Sequence, residues 1–164
     1  MKKVILLLAI SPVFVSSISP EPIQVSYEET IVEVKRKDIQ LDSPTPTDLI
    51  DALILVESRG NDSAIGDRHL VGNEAVGALQ IRPIMVREVN RILKLQGKIQ
   101  RFKLKDRFDR QKSINMFIVW KKWHHPNSDL EKIARNWNGG PRGYQYERTF
   151  KYWLKVQKEL NNVN

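Results

Sequence analysis

Among the side chains of this 164-residue chain that can move a proton, Glu57 is singled out by its spacing. Ile50, Leu53, Ile54 and Glu57 fall at i, i+3, i+4 and i+7, which puts a carboxyl group on the apolar stripe of a helix. Gly60 predicts the end of that helix, so Glu57 also lies in its last turn, where the helix dipole disfavours negative charge. Burial and dipole both favour the protonated form, and a carboxyl group kept neutral near pH 7 is a proton donor. The same spacing also suits an ordinary glutamate at a frayed helix end, pointing to solvent. Other chemistries have less to work with. There is no cysteine, hence no disulfide, catalytic thiol or thiolate metal site, and His69, His124 and His125 show no HExxH spacing. No metal and no cofactor are expected.

The elements that must position Glu57 are helical. Thr47 is predicted to cap the first helix, with Asp48 and Asp51 in its first turn. Residues 61–81, punctuated by Gly66, Gly72, Asn73 and Gly77, have no helical period and predict a long structured loop or small hairpin, of the kind that lines clefts or forms lids. Pro83 starts a second helix carrying Ile84, Val89, Ile92 and Leu93 to about Gly97. Asp109 caps a third that buries Ile114, Phe117, Ile118 and Trp120 and ends before Pro126. Ser128 to Glu131 reads as a capping box for a short helix to Trp137, and the last helix sets Phe150, Trp153, Leu154 and Leu160 on one side. The fold class expected is mainly α, one domain with an irregular or hairpin region after the acid-bearing helix. The four tryptophans fall in helical segments and read mostly as core; Trp137, at a helix exit, is the one expected beside a cleft.

Ahead of this domain, Lys2 and Lys3 precede an apolar run from Val4 through Val15, with Val15 and Ser17 suitably placed for cleavage. Residues 1–17 are predicted to be a signal peptide, with an uncleaved anchor as the alternative; either places the rest outside the cytoplasm, periplasmic or extracellular. Residues 18–46 read as an acidic tether or edge strand flanked by Pro20, Pro22, Pro44 and Pro46, with a short apolar alternation at Ile31, Val32 and Val34. Residues 47–164 form the expected catalytic domain. The formal charge is +8. Lys2 and Lys3 supply two of those charges, and residues 18–47 hold six acids against three bases, so residues 48–164 carry an excess of nine cations. These are scattered over several helices and form no recognised nucleic-acid motif. They suit anionic envelope polymers or a membrane surface and would speed encounter.

Three blocks in order, Ala52-Leu53-Ile54-Leu55-Val56-Glu57-Ser58, Gly77-Ala78-Leu79-Gln80-Ile81-Arg82-Pro83 and Asn136-Trp137-Asn138-Gly139-Gly140-Pro141, resemble the soluble lytic transglycosylase (SLT) domain of the lysozyme-like superfamily. The resemblance spans roughly residues 46–155 and implies a goose-type/SLT fold acting on peptidoglycan glycan strands. Glu57 matches that family's single catalytic acid. Ser58 matches a side chain that contacts substrate or the adjoining loop, though in this chain it could equally satisfy a helix-terminal carbonyl. Gln80 matches the cleft glutamine. Asn138 matches the asparagine that holds cleft backbone or sugar, and it also suits a helix-stopping turn. Where the family has a tyrosine whose hydroxyl lies near the acid, this chain has Trp137, whose indole donates a hydrogen bond but cannot accept one. Either Tyr144 or Tyr146 then supplies the hydroxyl, or the acid is oriented differently.

The mechanism this implies is non-hydrolytic. Most glycosidases need two carboxyl groups, whereas a lytic transglycosylase works with one, the substrate's N-acetyl group stabilising the developing positive charge. A hydrolytic muramidase like goose-type lysozyme is the alternative, with Asp62, Asp67 or Glu74 positioning water; a non-catalytic cell-wall-binding module is another. Local opening of the wall would also suit a component of secretion or phage-infection machinery.

Overall fold

Thr45 and Asp48 cap each other. The Thr45 hydroxyl accepts the Asp48 N–H at 3.3 Å while the Asp48 carboxylate accepts the Thr45 N–H at 2.6 Å, and Pro46 occupies the first helical position of α1, Pro46–Ser58. Thr45, two residues before the expected Thr47, is therefore the cap, because it lies three residues from Asp48 and leaves the donor-free proline where no donor is needed. The helix ends at Ser58, with Arg59 left-handed just ahead of Gly60. The computed structural model describes residues 44–163, all within one structural unit, Leu41–Asn164. The expected signal peptide and nearly all of the expected tether lie outside the described residues.

Residues 61–81 form a small hairpin. β1, Ile65–Gly66, pairs antiparallel with β2, Ala75–Val76, in the register Ile65 opposite Val76, and Val76 also bridges Ile81. Its closing limb is apolar and buried at Ala75, Val76, Ala78, Leu79 and Ile81, so the loop is anchored in the core. α2, Pro83–Leu95, buries Val86, Val89, Ile92 and Leu93. Ile84 does not join them, as the sequence led one to expect; it is 64% exposed, because it lies about half a helical turn from the Val86–Val89–Leu93 stripe.

A 3₁₀ turn, Leu104–Phe108, leads into α3, Arg110–His124, capped as expected by Asp109, whose carboxylate accepts the Lys112 N–H at 3.0 Å. α3 buries Ser113, Met116, Phe117 and Trp120, while Ile114 and Ile118 pack only at the core's margin. α4, Leu130–Gly139, is capped by Asp129 and not by Ser128. The Asp129 carboxylate accepts the Lys132 N–H at 2.7 Å, and the Ser128 hydroxyl faces His125 Nδ1 at 3.2 Å.

A second 3₁₀ turn, Gly143–Gln145, precedes α5, Glu147–Val163. Its inner face is Thr149, Tyr152, Trp153, Val156 and Leu160. The expected grouping of Phe150 and Leu154 with Trp153 and Leu160 is corrected: both are exposed, at 39% and 48%. Each is one residue, roughly 100° of helix, beyond a position of the inner face, Thr149 and Trp153. α1 packs against α5 and α4, and α2 against α3, around one apolar core. The domain is mainly helical with a single two-stranded hairpin.

Arg107 fastens the hairpin to the helices. Its buried guanidinium donates to the carbonyls of Glu74 (2.9 Å), Ile81 (3.0 Å) and Leu104 (2.9 Å), and its own carbonyl presses against Gly77, which has φ +79°. A β-carbon at Gly77 would be both strained and in collision. Gly97, at φ +69°, has open space around it. Gly77→Ala is therefore expected to destabilise the domain by about 3 kcal/mol or more, from left-handed strain plus overpacking, and Gly97→Ala by only about 1 kcal/mol from strain alone. Urea unfolding of the two variants checks this; equal losses would contradict the packing argument.

Candidate active site

The end of α1, the hairpin, the start of α2 and the turn after α4 border one cleft of about 680 Å³. Glu57 enters it from α1; Gly66, Asp67, Ala75 and Gln80 come from the hairpin; Arg82, Ile84 and Met85 come from the approach to α2 and its first turn; Trp137, Asn138 and Gly139 come from the end of α4, and Gly140 from the turn that follows it. Arg148, in the first turn of α5, completes the wall.

The Glu57 carboxyl is largely removed from water, and its Oε1 accepts a hydrogen bond of 2.7 Å from the Tyr152 hydroxyl. Burial pushes its pKa from 4.5 up to about 7; the Tyr152 hydrogen bond opposes the rise and the negative charge of Asp67 adds to it. Because Tyr152 donates to Oε1, the proton of the neutral acid belongs on Oε2. Burial, with the neighbouring Glu57, holds the Tyr152 phenol well above its ordinary value, so it stays a donor. The hydroxyl beside the acid thus comes from Tyr152 on α5, and neither Tyr144 nor Tyr146 supplies it. Tyr144 is stacked under Arg135, 4.6 Å from ring centre to guanidinium, and its N–H donates to the Asn136 side chain. Tyr146 is stacked under Arg148 at 4.7 Å. A signal for Tyr152 was present, since it shares a stripe with Val156 and Leu160, and a buried tyrosine needs a partner for its hydroxyl.

Gln80 borders the cleft as a brace. Its backbone is left-handed at φ +48°, and its side-chain amide donates to the carbonyls of Gly77 at 2.9 Å and Ala64 at 3.3 Å, tying the two limbs of the hairpin. Its carbonyl oxygen lies over Gly66, where any β-carbon would collide. Ser58 is not in the cleft wall; its hydroxyl donates back to Ile54 O at 3.2 Å, the helix-terminal role. Asn138 is in the wall and exposed. Trp137 does double duty, edge-on to Phe117 and Trp120 at 5.0 and 5.1 Å between ring centres while bordering the cleft.

Of the three acids in the loop, only Asp67 reaches the cleft, where it pairs with Arg82. Asp62 pairs with Arg110 at 2.9 Å, and Glu74 accepts the Gly72 N–H at 3.0 Å. Among the described residues no group of three or more acidic or histidine side chains is arranged to hold a metal ion, and no helix is long and apolar enough to cross a membrane.

The raised carboxyl links stability to pH. Between about pH 4.5 and 7 the folded state retains a proton that the unfolded chain releases, so stability falls as pH rises through that window and levels off above it. Glu57→Gln is expected to remove this slope and leave the variant more stable than the parent at pH 8 by on the order of 1–3 kcal/mol. Tyr152→Phe should raise the Glu57 pKa further and cost about 1 kcal/mol. Denaturant midpoints across pH 4 to 8 decide it; parallel curves for parent and Glu57→Gln would mean the carboxyl is not held apart from water.

Compared with protein-family models and with curated proteins, the chain matches neither.

Proposed function

We propose that this protein is an exported peptidoglycan lytic transglycosylase with a lysozyme-like, goose-type/SLT fold. The observation that carries the proposal is Glu57, a single carboxyl group raised to about 7 in the wall of a cleft that Gln80 and Asn138 also border. A mainly helical domain whose one hairpin follows the acid-bearing helix is compatible with that fold.

In the proposed reaction, Glu57 Oε2 gives its proton to the glycosidic oxygen between N-acetylmuramic acid and N-acetylglucosamine. As the C1–O bond breaks, the substrate's own N-acetyl group stabilises the positive charge at C1. The Glu57 carboxylate, held by Tyr152, then takes the proton from the muramic C6 hydroxyl, and that oxygen closes on C1 as a 1,6-anhydro ring. One carboxyl group serves as acid and then as base, and no water is consumed. Trp137 and Met85 supply apolar wall at the cleft, which favours ring closure over attack by water. The excess of cations over residues 48–164 suits approach to anionic envelope polymers.

A hydrolytic muramidase is the second reading, favoured by the placing of Asp67 in the same wall as Glu57. Product mass separates the two. Digestion of purified peptidoglycan is expected to release muropeptides one water lighter than hydrolytic ones; reducing-end muramic acid, lost in Asp67→Asn, would transfer the assignment to hydrolysis. Glu57→Gln should lower the rate by roughly 10²- to 10⁴-fold while the variant still binds sacculi. Loss of the cut with retained binding argues against a non-catalytic wall-binding module. The rate should decline as pH rises through about 7, where Glu57 loses the proton it must donate. An unchanged rate in Glu57→Gln would overturn the enzymatic proposal.

A further inference from the structure

We infer that the loop joining α2 to the first 3₁₀ turn docks the protein on an anionic lipid bilayer, an inference independent of the reaction proposed for Glu57. Residues 94–105 hold five cations, Lys94, Lys98, Arg101, Lys103 and Lys105, and no acid. All five are exposed, and none forms an ion pair among the described residues. The next acid along the chain, Asp106, is already satisfied, because its carboxylate accepts Lys112 Nζ at 2.9 Å and the Lys103 N–H at 2.7 Å. Arg101, Lys103, Lys105 and Lys112 line a hollow of about 350 Å³ at this loop. Lys94, Lys98 and Lys103 are each followed by an exposed apolar residue, Leu95, Ile99 and Leu104, and Ile99 is 96% exposed.

The loop is built to hold Ile99 in that position. On one side the Lys98 N–H donates to Leu93 O at 2.9 Å; on the other, both backbone groups of Phe102 bond the Asn90 side-chain amide at 2.8 Å, and the Phe102 ring is buried. Between these anchors the Arg101 guanidinium donates to the carbonyls of Lys98 and Gln100, each at 2.6 Å. Those carbonyls are thus already paired, as backbone entering a poorly hydrated boundary must be. A phosphate-bearing polymer in water would be met by the cations alone. Cations interleaved with exposed apolar side chains complement a surface whose anionic headgroups overlie hydrocarbon, the lysine ammonium groups meeting phosphate while Ile99 enters the acyl boundary. α2 carries the cleft at its first turn and this loop after its last, about 20 Å of helix apart, so a docked loop leaves the cleft free.

The test is sedimentation of the full chain with phosphatidylcholine vesicles that contain or lack phosphatidylglycerol. Binding is expected to be tighter to the anionic vesicles and to weaken with added salt. Lys98→Gln combined with Lys103→Gln should lower the partition coefficient about thirtyfold, a factor of about five for each cation. Ile99→Ser should lower it roughly tenfold. Two controls at exposed positions elsewhere, Lys155→Gln with Lys158→Gln on α5 and Val71→Ser in the hairpin, should leave it nearly unchanged. Because the chain has no cysteine, Ile99→Cys accepts a single environment-sensitive fluorophore. Its emission should shift to the blue on anionic vesicles, the same label at Val71→Cys should not shift, and soluble polyphosphate should shift neither. Equal binding to both kinds of vesicle, equal losses in the control variants, or a label at position 99 that stays in water overturns the inference. So does binding of polyphosphate that depends on Lys98 and Lys103 while vesicles are left unbound, which makes the loop a polyanion site.

Discussion

A hydrogen bond between Tyr152 and Glu57, spanning 95 residues, organises the rest of the molecule. It joins the last turn of α1 to the inner face of α5 and fixes the carboxyl against the core. Two opposing effects meet there. Removal from water raises the proton affinity of the carboxyl, and the phenol lowers it, leaving a group poised near neutrality. Neither effect would survive if the two helices parted. The packing of Leu53 and Ile54 against the core beside Val156 and Leu160 therefore tunes the acid as well as stabilising the fold.

The other side of the cleft depends on a cation with no role at the acid. Arg107 satisfies three backbone carbonyls, two of them in the hairpin limb that leads to α2, and its own carbonyl closes over Gly77. Gln80 then ties Gly77 to Ala64 within the hairpin. These contacts hold an otherwise polar, glycine-rich loop in register, so that Asp67 and Gln80 border the cleft on the side of α2 and Trp137 and Asn138 border it from α4. Trp137 is itself braced by Phe117 and Trp120, which makes the wall beside the acid a continuation of the core.

Local signals were legible residue by residue. The i, i+3, i+4, i+7 run ending at Glu57, the glycine-rich stretch before Pro83 and the Asp109 cap all have physical causes within one or two turns of chain, and each has its counterpart in the structure. The caps Thr45 and Asp129 lie one or two residues from the expected Thr47 and Ser128, because two suitable side chains compete and the geometry of the following turn chooses between them. The inner face of α5 is not legible locally, because Phe150 and Leu154 are as apolar as Val156 and Leu160; which of them is buried depends on how the helix is rotated against α1 and α4.

The sequence by itself determined that a carboxyl would end an apolar helical stripe ahead of a punctuated loop, because periodicity and turn chemistry act over short distances. Only the tertiary structure decided that Tyr152 would hold it, that Asp67 alone of three loop acids would border its cleft, and that Arg148 would stand in the same wall. Those pairings join residues from 10 to 95 positions apart, and no local propensity specifies them; they follow from the way the helices and the clamped hairpin close on a shared core.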